Sequence, residues 1–201
     1  PRKAHERVFR HIVPDKNGRI VLRFSSGWEP VMKSGDALVQ AIELLPEAKP
    51  TIRIDCGADR EFVDWNSMIW SADSAFTGGK AIRSDAAISQ ASPTLYDQEL
   101  YRTARTGRKL AYGISVPPGL YTVHLKFAEL WLTKSGDRPM DIEINGSTIR
   151  QNWDPATAAG QLNMAADIRI ENIAPDQDGK IVIVVAATAE NDAILQGIEV
   201  E

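Results

Sequence analysis

Residues 119–127, "GLYTVHLKF", alternate strictly between two kinds of side chain: Tyr121, Val123, Leu125 and Phe127 face one way, Thr122, His124 and Lys126 the other. Successive side chains of an extended chain point to opposite sides, so this pattern predicts a half-buried strand and does not fit a helix face. The same period recurs. "TIRIDCG" alternates Ile52, Ile54 and Cys56; "MDIEI" alternates Met140, Ile142 and Ile144 and closes on Asn145-Gly146, a hairpin signal, with "STIRQNW" as the return strand. "LAYGISV" runs into the Pro117-Pro118-Gly119 turn, "DIRIENI" and "KIVIVVAAT" flank Asp178-Gly179 as a second expected hairpin, and "AILQGIEVE" ends the chain. Only residues 92–106 have helical character, with Leu95, Tyr96, Leu100 and Tyr101 able to share a face behind Ser92-Pro93. Many short strands punctuated by Gly, Pro and Asn-Gly predict an all-β fold, a β-sandwich or jelly roll with one short helix.

The chain also echoes itself. "PDKNGRIVLRF" at 14–24 matches "PDQDGKIVIVV" at 175–185, and "ALVQAIELL" at 37–45 matches "AILQGIEVE" at 193–201. The preceding segments, "ERVFRHIVP" and "DIRIENIAP", correspond as well. Residues 1–47 therefore read as the last strands of a preceding, similar domain, and 48–201 as one complete copy, joined through "PEAKPT", where two prolines favour extended linker structure. An orphaned piece of sheet exposes apolar edges, so residues 1–47 are expected to pack on the main sandwich. Both ends have the look of cut boundaries, and no leader or targeting signal is legible.

Several function classes fall away. A net charge of −4 with scattered Lys and Arg lacks the basic stripe of a nucleic-acid surface, and no apolar run is long enough for a membrane helix. Cys56 is the single cysteine; it excludes an internal disulfide and reads as a small buried residue. Nucleophile elbow, phosphate loop, dinucleotide glycines, HExxH and regularly spaced calcium loop are all absent, and His124 sits on the polar side of its strand, so no metal or cofactor is expected.

Two features remain. Glu129 could pair with Asp137 or Asp141 as glycosidase carboxylates, which must face each other at about 5–9 Å. The reading favoured here is structural: Glu129 accepts hydrogen bonds from its own loop or pairs with Arg138. The second feature is the set of aromatics outside the alternations: Trp65, Trp70, Phe76, Tyr96, Tyr101, Trp131 and Trp153, while Tyr112 and Tyr121 read as core. Loop aromatics beside Asp, Asn and Arg suit a sugar, whose C–H face stacks on a ring while its hydroxyls need fixed donors and acceptors. One stack covering about 50 Å² contributes on the order of 1 kcal/mol. Two or three with hydrogen bonds give roughly micromolar to millimolar affinity. The alternative for Trp65, Trp70 and Trp153 is that they plug the ends of the sandwich.

"RIDCGA", "WSADSAFTGG", "TLYDQELY", "YGISVPPGLYTVHLKFAELWL", "MDIEINGSTI" and "AILQGIEVE" together resemble a malectin or malectin-like domain, in that family's order and spacing across residues 50–201. Residues 4–45 resemble the family's C-terminal strands. The resemblance implies a lectin-like β-sandwich and a non-catalytic carbohydrate-binding module, with a site of loop aromatics and an acidic residue. Its ligand would be a gluco- or galacto-configured oligosaccharide or polysaccharide, and its neighbours the domains of a modular, secreted or periplasmic bacterial glycoside hydrolase. The family's animal member binds glucose disaccharide units on N-glycans, a preference not carried over here. By the family pattern Tyr101 and Trp131 are stacking platforms, Phe76 and Tyr96 further aromatics, Asn191 or Asp192 the hydroxyl-reading group, and Glu129 the support behind the loop. Leu132 stands where the family has a second aromatic. That loss leaves open a different class of role, a spacer or interdomain docking unit without sugar binding.

Overall fold

The computed structural model describes residues 7–10, 12, 14–15, 19–24, 39–44, 49–89 and 98–201. It divides into two units, Pro1–Ala48 and Lys49–Glu201. In the first, the described residues carry no strand, the Arg19 amide donates to the Asp15 carboxylate at 2.9 Å, and Phe9, Val21, Phe24 and Leu44 are exposed.

The second unit is built almost wholly from strands. They are β1 (Ile52–Asp55), β2 (Phe62–Val63), β3 (Ile69–Trp70), β4 (Phe76–Thr77), β5 (Lys80–Arg83), β6 (Thr103–Gly107) and β7 (Lys109–Ser115). There follow β8 (Tyr121–Lys126), β9 (Met140–Ile144), β10 (Ser147–Trp153), β11 (Ile168–Ile173), β12 (Lys180–Ala187), β13 (Ala193–Leu195) and β14 (Gly197–Val200). A four-stranded sheet in the order β1-β14-β8-β11 faces a five-stranded one, β10-β9-β12-β7-β4, and a third sheet, β13-β6-β5, closes one side. Between the first two lies the core: Val123 and Leu125 of β8, Ile142 and Ile144 of β9, Leu110 and Tyr112 of β7, Ile181, Ile183 and Val185 of β12, and Ile198 and Val200 of β14. Every one is an alternate residue of its strand, so the period-two pattern is what assigns each face. The β-sandwich expected from the sequence is present.

Three details differ from the sequence reading. The short α-helix is α1, Pro155–Ala159, with Asp154 as N-cap and Gly160 at φ 86° closing it. Within residues 92–106, the described part holds only a 3₁₀ turn, Gln98–Tyr101, and then turns into β6; the helical spacing there reflected burial of Leu100 and Tyr101 on a satellite cluster with Trp70, Ile88 and Leu130. Asp178-Gly179 is a turn, but not of a hairpin. β11 pairs with β8 in one sheet and β12 with β7 and β9 in the other, so this turn carries the chain across the sandwich. Asn145-Gly146 does close the β9–β10 hairpin, with both residues at positive φ.

Close approach fixes two glycines. Gly197 lies on β14 beneath the Trp70 ring, whose Cζ3 would be 3.3 Å from an added Cβ. Gly57 follows β1 at φ 85°, and a side chain there would collide with the Ala104 carbonyl. Gly57→Ala combines left-handed strain with that collision, so urea unfolding should show a loss of about 2–4 kcal/mol at an unchanged m-value.

Candidate functional site

The strand that ends at Lys126 is followed by a loop whose shape is set by two buried carboxylates. Glu129, 1% exposed, accepts the backbone N–H groups of Trp131 and Leu132 through Oε1, each at 2.9 Å, and receives the Arg138 guanidinium on Oε2. Asp154 accepts the amides of Gly136 at 3.1 Å, Arg138 at 2.9 Å and Thr157 at 2.7 Å, holding the loop's far end to the start of α1. Burial pushes the Asp154 carboxyl up, but these amide donors outweigh it and leave it below the ordinary value of 3.8. The carboxylates do what helix caps do elsewhere: they gather backbone donors that a tight loop cannot satisfy internally.

Arg138 also reaches the last loop, its Nη1 donating to the Asp192 carbonyl. Asn191 Nδ2 donates to the Asp137 carbonyl at 2.8 Å. From the other side Arg108 Nη1 donates to the carbonyls of Ala189 at 2.6 Å and Glu190 at 3.0 Å. Glu129, Trp131, Leu132, Asn191 and Asp192 are thereby brought together, held by three polar side chains. Trp131 is half-buried, resting on both apolar clusters, and Leu132 is half-buried beside it. The Asp192 carboxylate, also half-buried, forms no hydrogen bond or ion pair with the described residues.

The other sequence candidates lie elsewhere. Tyr101 is 2% exposed, packed in the satellite cluster with its hydroxyl donating to Asp167 at 2.8 Å, so it offers no open ring face. Phe76, 40% exposed, belongs to a different network. The Arg105 guanidinium lies 3.3 Å from its ring centroid, Arg105 Nε pairs with Asp73 at 2.7 Å, and the Tyr112 hydroxyl donates to Asp73 at 3.0 Å. Tyr96 falls outside the described residues. Trp70 is buried against Gly197 with Nε1 donating to Asp64 at 3.1 Å, and Trp153 packs edge-on against Phe127 at 4.8 Å, whereas Trp65 is 76% exposed.

Of the carboxylates considered as a glycosidase pair, Glu129 has both oxygens occupied by loop amides and Arg138, Asp141 accepts the Asn152 amide through Oδ1 at 2.8 Å, and Asp137 lies 3.7 Å from Lys134. Among the described residues no group of three or more His, Cys, Asp or Glu is placed to hold a metal ion. Arg108 and Asp154 were missed by sequence reading, and Arg138 was read only as a partner for Glu129, not as a link to the Asp192 carbonyl. Asp154-Pro155 followed by Thr157 is an N-cap signal that could have revealed one of them; the two arginines act across 54 or more positions and leave no local mark.

The Malectin domain profile matches residues 51–198. The chain belongs to the malectin domain family. This is a carbohydrate-binding type of domain. The ANXUR1 extracellular domain from Arabidopsis thaliana superposes with a TM-score of 0.67 at 17% identity over 88% of this chain and 52% of that one. A Bacteroides uniformis β-glucuronidase superposes at 0.64 and 20% identity over 76% of this malectin chain and 18% of the enzyme. The Arabidopsis thaliana kinesin-like protein KIN-14Q is 34% identical over 85 residues, 42% of this chain and 7% of that protein. The chain thus spans at most about half the length of these proteins, and the likeness to the solved structures is one of fold.

Two outcomes are expected. Arg138→Met leaves the Glu129 carboxylate buried without its counter-charge and should cost about 3–5 kcal/mol in urea unfolding. Asp154 has a folded-state value below its ordinary 3.8, so its contribution is complete above that pH and is lost as pH falls through the folded value. The stability gap between native protein and Asp154→Asn should therefore be full at neutral pH and close in acid.

Proposed function

We propose that this malectin domain is a non-catalytic carbohydrate-binding module whose site is the loop end at Trp131, Leu132, Asn191 and Asp192. What supports the reading is one arrangement: a half-buried tryptophan whose backbone N–H is held by Glu129, and an Asp192 carboxylate without a partner among the described residues, with the two loops tied through Arg138. A sugar ring can stack on the indole while Asp192 accepts from its hydroxyls, and the prior fixing of both loops removes much of the ordering cost of binding. Glu129 acts from behind, as the loop's anchor. With Leu132 in the second position and Tyr101 buried, the stacking surface narrows to the Trp131 ring, which favours modest affinity and a short contact with the glycan. Gluco- or galacto-configured oligosaccharides or polysaccharides are the ligand class proposed. A secreted, periplasmic or cell-surface protein of modular build, a bacterial glycoside hydrolase with a second malectin copy ending in residues 1–47, is the setting proposed.

Isothermal titration against gluco- and galacto-oligosaccharides tests this. The native chain should bind one of these series at micromolar to millimolar strength; Trp131→Ala should weaken it about fivefold or more and Asp192→Ala about tenfold. Leu132→Tyr should tighten it severalfold by restoring a second ring. Failure of the native chain to bind any glycan would make the domain a spacer or docking unit instead.

A further inference from the structure

At the C-terminal end of β1 a cleft of about 670 Å³, lined by none of the proposed loop-site residues, opens between the Gly57–Phe62 turn, β5 and the 3₁₀ turn that precedes β6. That volume is in the range of small-ligand pockets. Asp55, 5% exposed, lines it. The Thr103 hydroxyl donates to Asp55 Oδ1, but among the described residues Oδ2 receives no hydrogen bond and no cation forms an ion pair with the carboxylate. The guanidiniums within reach are committed elsewhere: Arg105 to Asp73 at 2.7 Å, and Arg83 to Glu99 at 3.0 Å and Asp85 at 3.7 Å. Around the cleft four carboxylates, Asp55, Asp59, Glu61 and Glu99, face two guanidiniums, Arg60 and Arg83.

A desolvated carboxylate without a counter-charge is costly, and the group answers by holding its proton. Burial pushes the Asp55 carboxyl up to about 7, with the Thr103 hydroxyl opposing, Asp73 and Glu99 adding and Arg83 subtracting. Such a site lacks one thing, a positive charge supplied from outside.

We propose that this cleft is a second ligand site that takes the ammonium group of an amino sugar, with Asp55 as its counter-ion. The choice of a sugar as carrier rests on the carbohydrate-binding reading above. It is favoured over a basic peptide because the cleft holds one buried carboxylate for a single ammonium, while Arg60, Asp59 and Glu61 in its lining can donate to and accept from hydroxyls. Binding discharges the proton that Asp55 holds in the empty cleft, so association and proton release are linked.

Titration of the whole chain with a β-1,4-linked glucosamine trimer at about pH 6, where the sugar amine is charged and Asp55 still protonated, tests this in two buffers of different ionisation enthalpy. The expected result is binding with release of about one proton, absent with the N-acetylated trimer. Asp55→Asn should weaken binding about 10- to 100-fold and abolish the proton release. Should that variant fail to fold, proton release by the native chain decides alone. Binding without proton release, equal binding of the N-acetylated trimer, or preference for a tri-lysine peptide would each overturn the proposal. So would loss of amine binding on Trp131→Ala with Asp55→Asn unaffected, since the amine would then sit at the loop site. A chain that binds no neutral glycan but binds the charged amine with release of the proton to the buffer loses the loop-site reading and keeps this one.

Discussion

The buried ion pair between Glu129 and Arg138 is the constraint on which the loop end of this sandwich depends. β8 delivers the chain at Lys126 with its alternate side chains already committed to the core, and Phe127, Ala128, Glu129 and Leu130 continue inside. A carboxylate at 1% exposure is tolerable there only because it is surrounded by donors: two amides from its own loop and one guanidinium. Arg138 in turn extends to the loop before β13. Two segments separated by more than fifty positions thus share one electrostatic anchor, and neither Trp131 nor Asp192 has to be ordered by a ligand.

The same economy recurs in the other buried polar groups. Asp73 gathers the Gly57 amide, Arg105 and the Tyr112 hydroxyl, and Gln196 pairs both its amide groups with the backbone of Ala128 where β13 gives way to β14. Each takes up backbone or side-chain groups that the sheets leave over at a bend or crossing. Among the described residues Asp55 has a single hydroxyl partner, which sets it apart from the structural carboxylates.

Strands and faces were legible in the sequence because alternation is a local signal: β8, β9 and β12 lie where "YTVHLK", "MDIEI" and "KIVIVVAA" place them. Pairing was less legible. A turn such as Asp178-Gly179 marks a reversal without stating which sheet receives the next strand; that choice follows from how the two inner faces fill the core. At the site, the support role of Glu129 and its bond to Arg138 could be read from a charged residue trapped between apolar ones. The burial of Tyr101 could not. An aromatic outside a strand pattern looks the same in sequence whether solvent or a satellite cluster receives it, and here the cluster with Trp70 and Leu130 does.

Gly197 has a consequence beyond its own position. The outer face of a four-stranded antiparallel sheet would ordinarily be open to water along its whole length, yet the missing side chain on β14 lets the Trp70 indole settle onto the backbone, and Asp64 pins it there. Part of that outer face is therefore already roofed by the molecule's own β2–β3 hairpin. What is left for anything outside is a bounded ledge, crossed by a row of directly paired polar residues, Arg53, Glu199, His124 and Arg169, one from each strand. An absent methyl group, by letting a ring descend, decides how much of this surface the protein keeps for itself.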